Sequence, residues 1–294
     1  MKQLIFGLLA LLLLNACEQK EEVSLITASA EASAKRAARE ATTNKQWTHR
    51  LIRQRAVWTE PTKQTVTDLY YTYNDNGQLA MISGTMPHGI GDILINLYYD
   101  ELGRLISMQH NWGKRWDLSY DNKNLVKQVR TYSENGVVLT EHHYVNSYDA
   151  QGLMTETKIY NIANSQQTHL ATFTYTYDGE NIVRLVKSRP DGKKLGENNY
   201  TYDEGKLPLN TLQNLSVPRY ITSDLPGASL SVNNILTCVE TVVRATGEEV
   251  RNTTNSYSMV YEYAKAGYPS VSTKTFDRGY TERTEFTYET RERH

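Results

Sequence analysis

Apolar residues recur at every second position over much of the chain, which is the pattern of β-strands with one buried face. In the clearest stretch, Ile93, Ile95, Leu97 and Tyr99 fall on one face of a predicted strand. Tyrosines two residues apart also place two rings on one face, and these doublets are Tyr71/Tyr73, Tyr175/Tyr177, Tyr200/Tyr202 and Tyr261/Tyr263. The alternation predicts an all-β protein.

A second pattern places the turns between these strands. A Tyr is followed four residues later by Gly or Asn, and two residues after that by a residue suited to a strand. The instances are Tyr73/Gly77/Leu79, Tyr99/Gly103/Leu105, Tyr120/Asn124/Val126, Tyr132/Gly136/Val138, Tyr148/Gly152/Met154, Tyr177/Asn181/Val183 and Tyr263/Gly267/Pro269. A three-residue hairpin loop needs Gly or Asn at its left-handed third position, and it sets the Tyr opposite the last residue of each triplet. In the second hairpin it also sets Asp100 against Arg104.

The hairpins predict one domain, residues 58–294. We expect an antiparallel up-and-down meander of roughly fourteen to sixteen strands that forms a strongly curved sheet or a closed barrel. The rhythm stops at residues 207–234, where Pro208, Pro218 and Pro226 are incompatible with central strands. This proline-containing excursion either packs over one end or into the concavity of the sheet, or forms a surface loop.

The N-terminus has the pattern of an export signal. Lys2 precedes the apolar run Leu4–Leu14, which is far shorter than the roughly 20 residues that span a bilayer. Leu14-Asn15-Ala16-Cys17 resembles the lipobox of bacterial lipoproteins, which implies that residues 1–16 are removed and that Cys17 carries the lipid. Residues 17–57 are predicted to form a lipid-anchored linker, partly helical or disordered.

The charged run after Cys17 bears on localisation. Glu18-Gln19-Lys20-Glu21-Glu22 is similar to the surface-export signal of Bacteroidota lipoproteins. The similarity implies an outer-membrane lipoprotein exposed at the cell surface. The alternative is an anchor in the periplasmic leaflet, with this run serving only as a solvated linker.

The charge and the cysteine content of the chain limit the classes of partner that we expect. The formal net charge is -1, which argues against nucleic acid as the main partner. With Cys17 assigned to lipid, Cys238 is alone in an apolar stretch, and we predict a buried small side chain rather than a disulfide. The membrane, through the lipidated Cys17, is the predicted partner, together with an extracellular glycan or protein.

Motifs for chemistry are weak. His142 and His143 are adjacent on a predicted strand, so they point to opposite faces and do not form a chelating pair. The sequence contains no nucleophile elbow, phosphate loop or zinc signature. We therefore expect a protein that is not an enzyme, with no catalytic residues, no metal and no cofactor.

Aromatic residues are the best candidates for ligand contacts. These are Tyr71, Tyr73, Tyr175, Tyr177, Tyr200, Tyr202, Trp112 and Trp116. Such rings either stack on sugars and anchor protein partners, or cover the sheet and pair across strands. The leading prediction is a non-enzymatic binding or scaffolding module for a glycan or protein. The alternative is a carrier of an apolar small molecule or lipid within the curved sheet, and a glycan hydrolase would need two converging carboxylates.

Two families share parts of this pattern. The segment from Tyr99-Asp100 to Gly103-Arg104-Leu105 looks like the YD repeat of the RHS family. The longer stretch Tyr71–Tyr288 resembles an uncharacterised family of Bacteroidota lipoproteins with a porin-like fold, through Asn233-Asn234, Tyr261-Glu262-Tyr263 and Gly267-Tyr268-Pro269. The resemblance implies a fold and no established activity.

The porin-like shape does not predict a membrane pore. A lipid-facing strand needs an unbroken apolar face. The predicted strand at residues 141–149 has Glu141, His143 and Asp149 on one face and His142 and Asn146 on the other. We therefore expect a water-soluble barrel.

Overall fold

The computed structural model describes residues 49–86, 91–121, 124–208, 231–264 and 267–290. The predicted signal peptide, Cys17 and most of the linker lie outside these residues, as do residues 209–230 of the proline-containing excursion. No helix within the described ranges is long and apolar enough to cross a membrane.

The regular elements of the described ranges are all β-strands. They are β1 (His49–Glu60), β2 (Lys63–Tyr73), β3 (Leu79–Met86), β4 (Gly91–Tyr99), β5 (Leu105–His110), β6 (Lys114–Asp121), β7 (Asn124–Glu134), β8 (Val137–Tyr148), β9 (Met154–Ala163), β10 (Gln166–Asp178), β11 (Asn181–Ser188), β12 (Lys194–Lys206), β13 (Asn233–Val243), β14 (Glu249–Arg251), β15 (Tyr257–Tyr263), β16 (Pro269–Phe276) and β17 (Thr281–Thr290). The prediction of an all-β fold is confirmed.

The strands form one closed antiparallel sheet. Apart from the short β14, consecutive strands pair with each other, and β1 also pairs with β17, which closes the ring. The three-residue β14 pairs with the end of β13, and another part of β13 pairs with β15. The described wall is therefore an up-and-down barrel of 16 long strands. Of the two predicted architectures, a curved sheet or a closed barrel, the structure shows the closed barrel.

The barrel begins earlier than expected. β1 starts at His49, upstream of the predicted boundary at Trp58. A register shift between Leu51 and Arg53 changes the phase of the strand, so the inward side chains do not follow one period of two. The alternation that marks the other strands is hidden here, and the prediction placed these residues in the linker.

The predicted turn geometry is found where Tyr faces its assigned partner. These pairs are Tyr73/Leu79, Tyr99/Leu105, Tyr148/Met154 and Tyr263/Pro269. In the second hairpin the amide of Gly103, at φ 75°, donates to the carbonyl of Asp100 at 2.9 Å. The side chain of Asp100 accepts from Arg104 N and Nε at 2.8 Å each, as the sequence predicts.

The registers predicted for Tyr120, Tyr132 and Tyr177 are wrong. Tyr120 faces Leu125, Tyr132 faces Thr140 and Tyr177 faces Ile182. In the second of these hairpins, Asn135 and Gly136 both have positive φ (52° and 79°), and this Asn-Gly pair makes a two-residue turn. Asp121 pairs with Asn124 and Asp178 pairs with Asn181, and a register shift between Tyr132 and Ser133 adds to the change in the Asn135-Gly136 hairpin. Each Tyr therefore has a different partner, although the spacing of Tyr and Gly or Asn is unchanged.

The turns at Gly192, Gly247 and Gly279 lie outside the tyrosine pattern. Each makes the same pair of backbone hydrogen bonds as the turn at Gly103. Ser188, Val243 and Thr275 stand where the pattern requires Tyr, so a search that begins at tyrosine does not find them.

The apolar residues line the inside of the first part of the wall. Leu69 and Tyr71 are 2% and 4% exposed, whereas Tyr70 between them is 46% exposed on the outer face. Fully buried side chains continue along β3, β4 and β5 at Leu79, Ile82, Ile95, Leu105 and Met108. Burial stabilises the fold by about 1.5–3 kcal/mol for each such side chain.

Candidate functional site

Tyrosine hydroxyls form a ring of hydrogen bonds at one end of the barrel, which we call the tyrosine rim. Each donates to a backbone carbonyl one hairpin back in the chain. The pairs are Tyr73 to Leu51 (2.8 Å), Tyr99 to Leu79 (2.7 Å), Tyr120 to Leu105 (2.7 Å), Tyr148 to Leu125 (2.8 Å), Tyr177 to Met154 (2.9 Å), Tyr202 to Ile182 (2.6 Å), Tyr261 to Ile235 (3.0 Å) and Tyr288 to Pro269 (2.8 Å). Because Phe lacks the donor, the rim gives a physical reason for 21 Tyr against 4 Phe.

Several predicted ligand-contact tyrosines therefore have structural partners. Tyr73, Tyr177 and Tyr202 belong to the tyrosine rim. Tyr71 is buried, and its hydroxyl donates to Gln54 Oε1 at 2.9 Å. A contact between these rings and a ligand stays a prediction.

The other predicted aromatic contacts are also engaged by the fold. Tyr175 donates to Thr157 Oγ1 at 3.1 Å, and Trp112 Nε1 donates to the carbonyl of Asp92 at 3.1 Å. Trp116 is 2% exposed. Of these three side chains, Tyr175 and Trp112 are half-buried and retain some accessible surface.

A lysine lies over aromatic rings on the inner face of the last strands. Lys274 Nζ is 4.0 Å from the ring centre of Tyr257 and 4.6 Å from that of Phe276. Phe276 stacks on Trp58, with ring centres 5.6 Å apart. Glu282 lies opposite both Lys274 and Trp58 in the strand register. We call these five residues the Lys274 cluster.

Burial acts against both charges of this cluster. It lowers the pKa of Lys274 and raises the pKa of Glu282, and the attraction between the two groups partly offsets each shift. Thr284 Oγ1 donates to Glu282 Oε1 at 3.1 Å. Within the described ranges no carboxylate lies within 4 Å of Lys274 Nζ, since the ion pairs found there involve other residues. The ammonium thus relies on ring faces and on a more distant carboxylate.

Cys238 extends this wall toward β12. It lies opposite both Tyr200 and Tyr257 in the strand register. It is a buried free thiol, as predicted, and burial raises its pKa. Asn198 Nδ2 lies 3.5 Å from its sulfur. Tyr200, one of the predicted ligand contacts, is half-buried at the same level of the wall.

A second group of polar and aromatic residues lines β6 to β8. The Arg130 guanidinium carbon lies 5.5 Å from the ring centres of both Trp116 and Tyr144. Arg130 Nη2 is 3.3 Å from His142 Nδ1. Lys114 Nζ is 5.9 Å from the Trp116 ring. We call Arg130, Trp116, Tyr144 and His142 the Arg130 cluster.

The two adjacent histidines separate as the sequence predicts. His142 faces the interior beside Arg130, whereas His143 Nε2 lies 2.6 Å from Glu141 Oε1 on the other face. Burial, and then the charge of Arg130, lower the pKa of His142. No group of three or more His, Cys, Asp or Glu among the described residues is arranged to hold a metal ion.

Ion pairs cover the outer face of the wall. Arg53 Nε and Nη2 donate to Asp68 Oδ1 at 2.9 and 2.6 Å. Farther round the barrel, Arg184 and Lys194 contact Glu197 Oε2 at 2.6 and 3.0 Å. Hydrogen bonds from Asn199, Arg184 and Lys194 lower the pKa of Glu197 to about 2. These charges lie within strands, where a lipid-facing barrel has apolar residues.

Sequence reasoning singled out Trp116 as a candidate ligand contact and His142 as a strand histidine, but it missed Lys274, Glu282 and Arg130. Lys274 and Arg130 are charged residues at inward positions of their strands, each next to aromatic partners on neighbouring strands. The signal in the sequence was a charge in phase with buried residues, as with Lys274 two positions before Phe276. Recognising it requires the register, because the aromatic partners come from other hairpins.

Comparison with solved structures agrees with the geometry of the wall. A porin-like protein from Bacteroides uniformis matches with a TM-score of 0.52 at 11% identity, over 81% of this chain and 96% of that chain. The fold is porin-like. A porin-like protein from Bacteroides vulgatus matches with a TM-score of 0.48 at 10% identity, over 80% and 97% of the two chains. The structure of TcdB2-TccC3-TEV matches with a TM-score of 0.28 at 15% identity, over 72% of this chain and 13% of that chain. No family model and no curated protein matches the chain.

Proposed function

We propose that the protein is a lipid-anchored binding protein of the cell envelope that takes its ligand into the barrel interior without chemical turnover. The observation that carries this proposal is the Lys274 cluster. A half-buried ammonium, two ring faces and a carboxylate are held together on the inner wall by the three neighbouring strands β15, β16 and β17.

The energetics of the cluster support a binding role. Removing a charge from water is costly unless other groups replace its hydration. The rings of Tyr257 and Phe276 offset part of this cost for Lys274, at roughly 0.5–2 kcal/mol for each cation–π contact. Groups kept partly desolvated in a concavity are typical of sites where a ligand supplies the missing partner.

A glycan is the ligand class that this lining supports best. Trp58 and Tyr257 offer half-buried ring surface for stacking, and Lys274 and Glu282 offer a donor and an acceptor for hydroxyl groups. A folded protein partner would instead use the outer face. There, the exposed rings of Tyr70 and Tyr98 lie on the separate strands β2 and β4.

The envelope location rests on the N-terminal sequence and on the outer face of the wall. Cys17 in its lipobox-like setting is the proposed lipid attachment, and the charged run from Glu18 to Glu22 supports an outer-membrane lipoprotein exposed at the surface. A mid-wall charge such as Arg53 would cost roughly 2–4 kcal/mol at a bilayer midplane, and Asp68 would add a smaller cost. These charges support a barrel that stands in water, tethered through its N-terminal linker.

A glycan-binding screen tests the interior site. The probe is a panel of soluble polysaccharides and oligosaccharides, and the protein is the mature chain with Cys17→Ser to keep it soluble. Lys274→Met should weaken binding about tenfold, the equivalent of 1.4 kcal/mol. Lys158→Met is the matched control, because Lys158 pairs with Glu156 at 3.0 Å on the outer face. Equal loss in both variants, or loss in neither, would count against the interior site.

Two cell experiments test the location. Incorporation of labelled palmitate should disappear in Cys17→Ala. Protease added to intact cells should degrade the protein if the anchor is at the surface, whereas resistance until the outer membrane is opened would favour the periplasmic leaflet.

The carrier of an apolar molecule is the second candidate. It would use the apolar inner wall, but Leu69, Ile82 and Ile95 are already covered within the protein, so this observation supports the carrier less than the polar lining supports a glycan. Organic extraction of protein purified from its own cells, followed by mass spectrometry, would reveal a stoichiometric lipid if the carrier proposal holds.

A further inference from the structure

The guanidinium of Arg130 has donors to spare on the inner wall. Its planar group lies near the rings of Trp116 and Tyr144, and its hydrogen-bond contact among the described residues is with the imidazole of His142. Within the described part of the chain no carboxylate lies within 4 Å of it, since the ion pairs on these strands are Arg115 with Asp117 and Glu141 with His143. Arginine presents five donors in a fixed fork that matches a carboxylate.

His142 adds a donor of fixed identity. A guanidinium has no acceptor, so Nδ1 of His142 must accept the hydrogen bond from Arg130 Nη2 at 3.3 Å. The proton of the neutral imidazole is then on Nε2, which is directed away from Arg130. Burial and the neighbouring guanidinium disfavour a second proton on this ring. The pair therefore presents guanidinium N–H groups and one imidazole N–H.

Among the described residues, the inward positions directly beside Arg130 carry no carboxylate. Arg130 faces Trp116 on β6, and His142 faces Asn161 on β9. The next inward residue along β7, Gln128, is uncharged. The electrostatic field at this wall therefore favours an anion.

We infer that the Arg130 cluster binds a carboxylate group, so that the ligand of the barrel is an acidic saccharide containing a uronic acid. This inference rests on the proposed function, because it gives the chemical class of the ligand that enters the interior. The fork of Arg130 would hold both carboxylate oxygens, and His142 Nε2–H would donate to one of them. Trp116 is buried and acts as the platform that orients the guanidinium.

Calorimetric titration with D-glucuronate tests the inference, with D-glucose as the neutral control and sulfate and phosphate as other oxyanions. The mature chain with Cys17→Ser should bind glucuronate, and glucose should not compete. Arg130→Gln should weaken glucuronate binding at least tenfold, while Arg130→Lys, which keeps the charge without the fork, should fall between. Arg184→Gln is the matched change on the outer face, where Arg184 contacts Glu197, and it should bind like the parent.

A measurement on the protein with Arg130 intact tests the site even if the Arg130→Gln variant fails to fold. Glucuronate should shift the ¹⁵N resonances of the His142 ring and leave those of His169, whose Nε2 lies 3.1 Å from the carbonyl of Ala171, in place. Absence of glucuronate binding, equal binding by Arg130→Gln, or tighter binding of sulfate or phosphate than of glucuronate would overturn the carboxylate site.

The same variants separate this inference from the proposed function. If Arg130→Gln loses glucuronate and Lys274→Met loses no glycan, the carboxylate site stands and the role of the Lys274 cluster fails. If Lys274→Met loses the glycan while Arg130→Gln binds glucuronate normally, the carboxylate site fails and interior binding stands.

Discussion

Removing one hydroxyl from the tyrosine rim should have a measurable effect on stability. Tyr99 Oη donates to the carbonyl of Leu79 at 2.7 Å, and Leu79 is 0% exposed. Tyr99→Phe keeps the ring and deletes this donor. A hydrogen bond contributes about 0.5–1.5 kcal/mol net, and a buried acceptor left without a partner costs about 1–3 kcal/mol. We expect the free energy of unfolding to fall by about 1–2 kcal/mol.

The adjacent residue supplies the control. Tyr98 is 47% exposed on the outer face, and Tyr98→Phe removes the same atom from a side chain in contact with water. Urea denaturation followed by tryptophan fluorescence measures both variants. Their denaturant slopes should match the parent protein, and only Tyr99→Phe should shift the midpoint.

The comparison can fail in a clear way. If Tyr99→Phe and Tyr98→Phe unfold within about 0.3 kcal/mol of each other, the rim hydroxyls do not stabilise the barrel. The excess of Tyr over Phe would then need another cause, and a contact of the rim with ligand would become the better explanation.

Three further changes have defined outcomes. The double variant Lys274→Met/Glu282→Gln should unfold with a free energy unchanged or up to about 2 kcal/mol higher at pH 7, because two partly desolvated charges are removed. The pKa of Lys274 is lowered in the folded state, so the energetic cost of burying its charge applies below that pKa and fades as the pH rises through it. The increase in unfolding free energy should therefore shrink in alkaline buffer. An increase that grows there would contradict the assignment. Glu197→Gln should lower the free energy of unfolding by about 1 kcal/mol above pH 4.5. Acid denaturation followed by circular dichroism should show this difference from the parent protein vanish as the pH falls through about 2. A difference that stays constant with pH would exclude the carboxylate as its source. Gly84→Ala should prevent folding, because a Cβ would collide with the carbonyl of Asp68 on the paired strand, and a soluble variant with native circular dichroism would refute that geometry.

Local signals in the sequence were sufficient for the architecture. The Tyr, Gly and apolar triplets placed hairpins correctly around Gly77, Gly103, Gly152 and Gly267, because a three-residue turn with a left-handed glycine has one register. The same reasoning failed at Gly136. There Asn135 also adopts positive φ, and an Asn-Gly turn competes with the longer loop, so turn type could not be decided from the position of Tyr.

The interior clusters bring together residues from different hairpins, so the pattern within a single hairpin does not predict them. Lys274 meets Tyr257 and Phe276 only after β15, β16 and β17 have taken their register. His142 could be assigned to one of two faces from alternation, but the choice of the inner face, beside Arg130, depends on the closure of the barrel. The tyrosine hydroxyls satisfy backbone carbonyls of the preceding hairpin, and alternation along one strand does not reveal these contacts.

The pairing of the first strand with the last makes the wall a ring in sequence as well as in space. His49 and Thr290 are directly opposite each other in the β1–β17 register. A short peptide joining them, with new termini cut at the Asn135-Gly136 turn, would give a circularly permuted barrel with every strand pair retained. Conversely, deleting β17 would leave β1 and β16 as bare edges that invite pairing with a second chain. The last strand thus completes the backbone hydrogen bonding between β16 and β1 and closes the barrel.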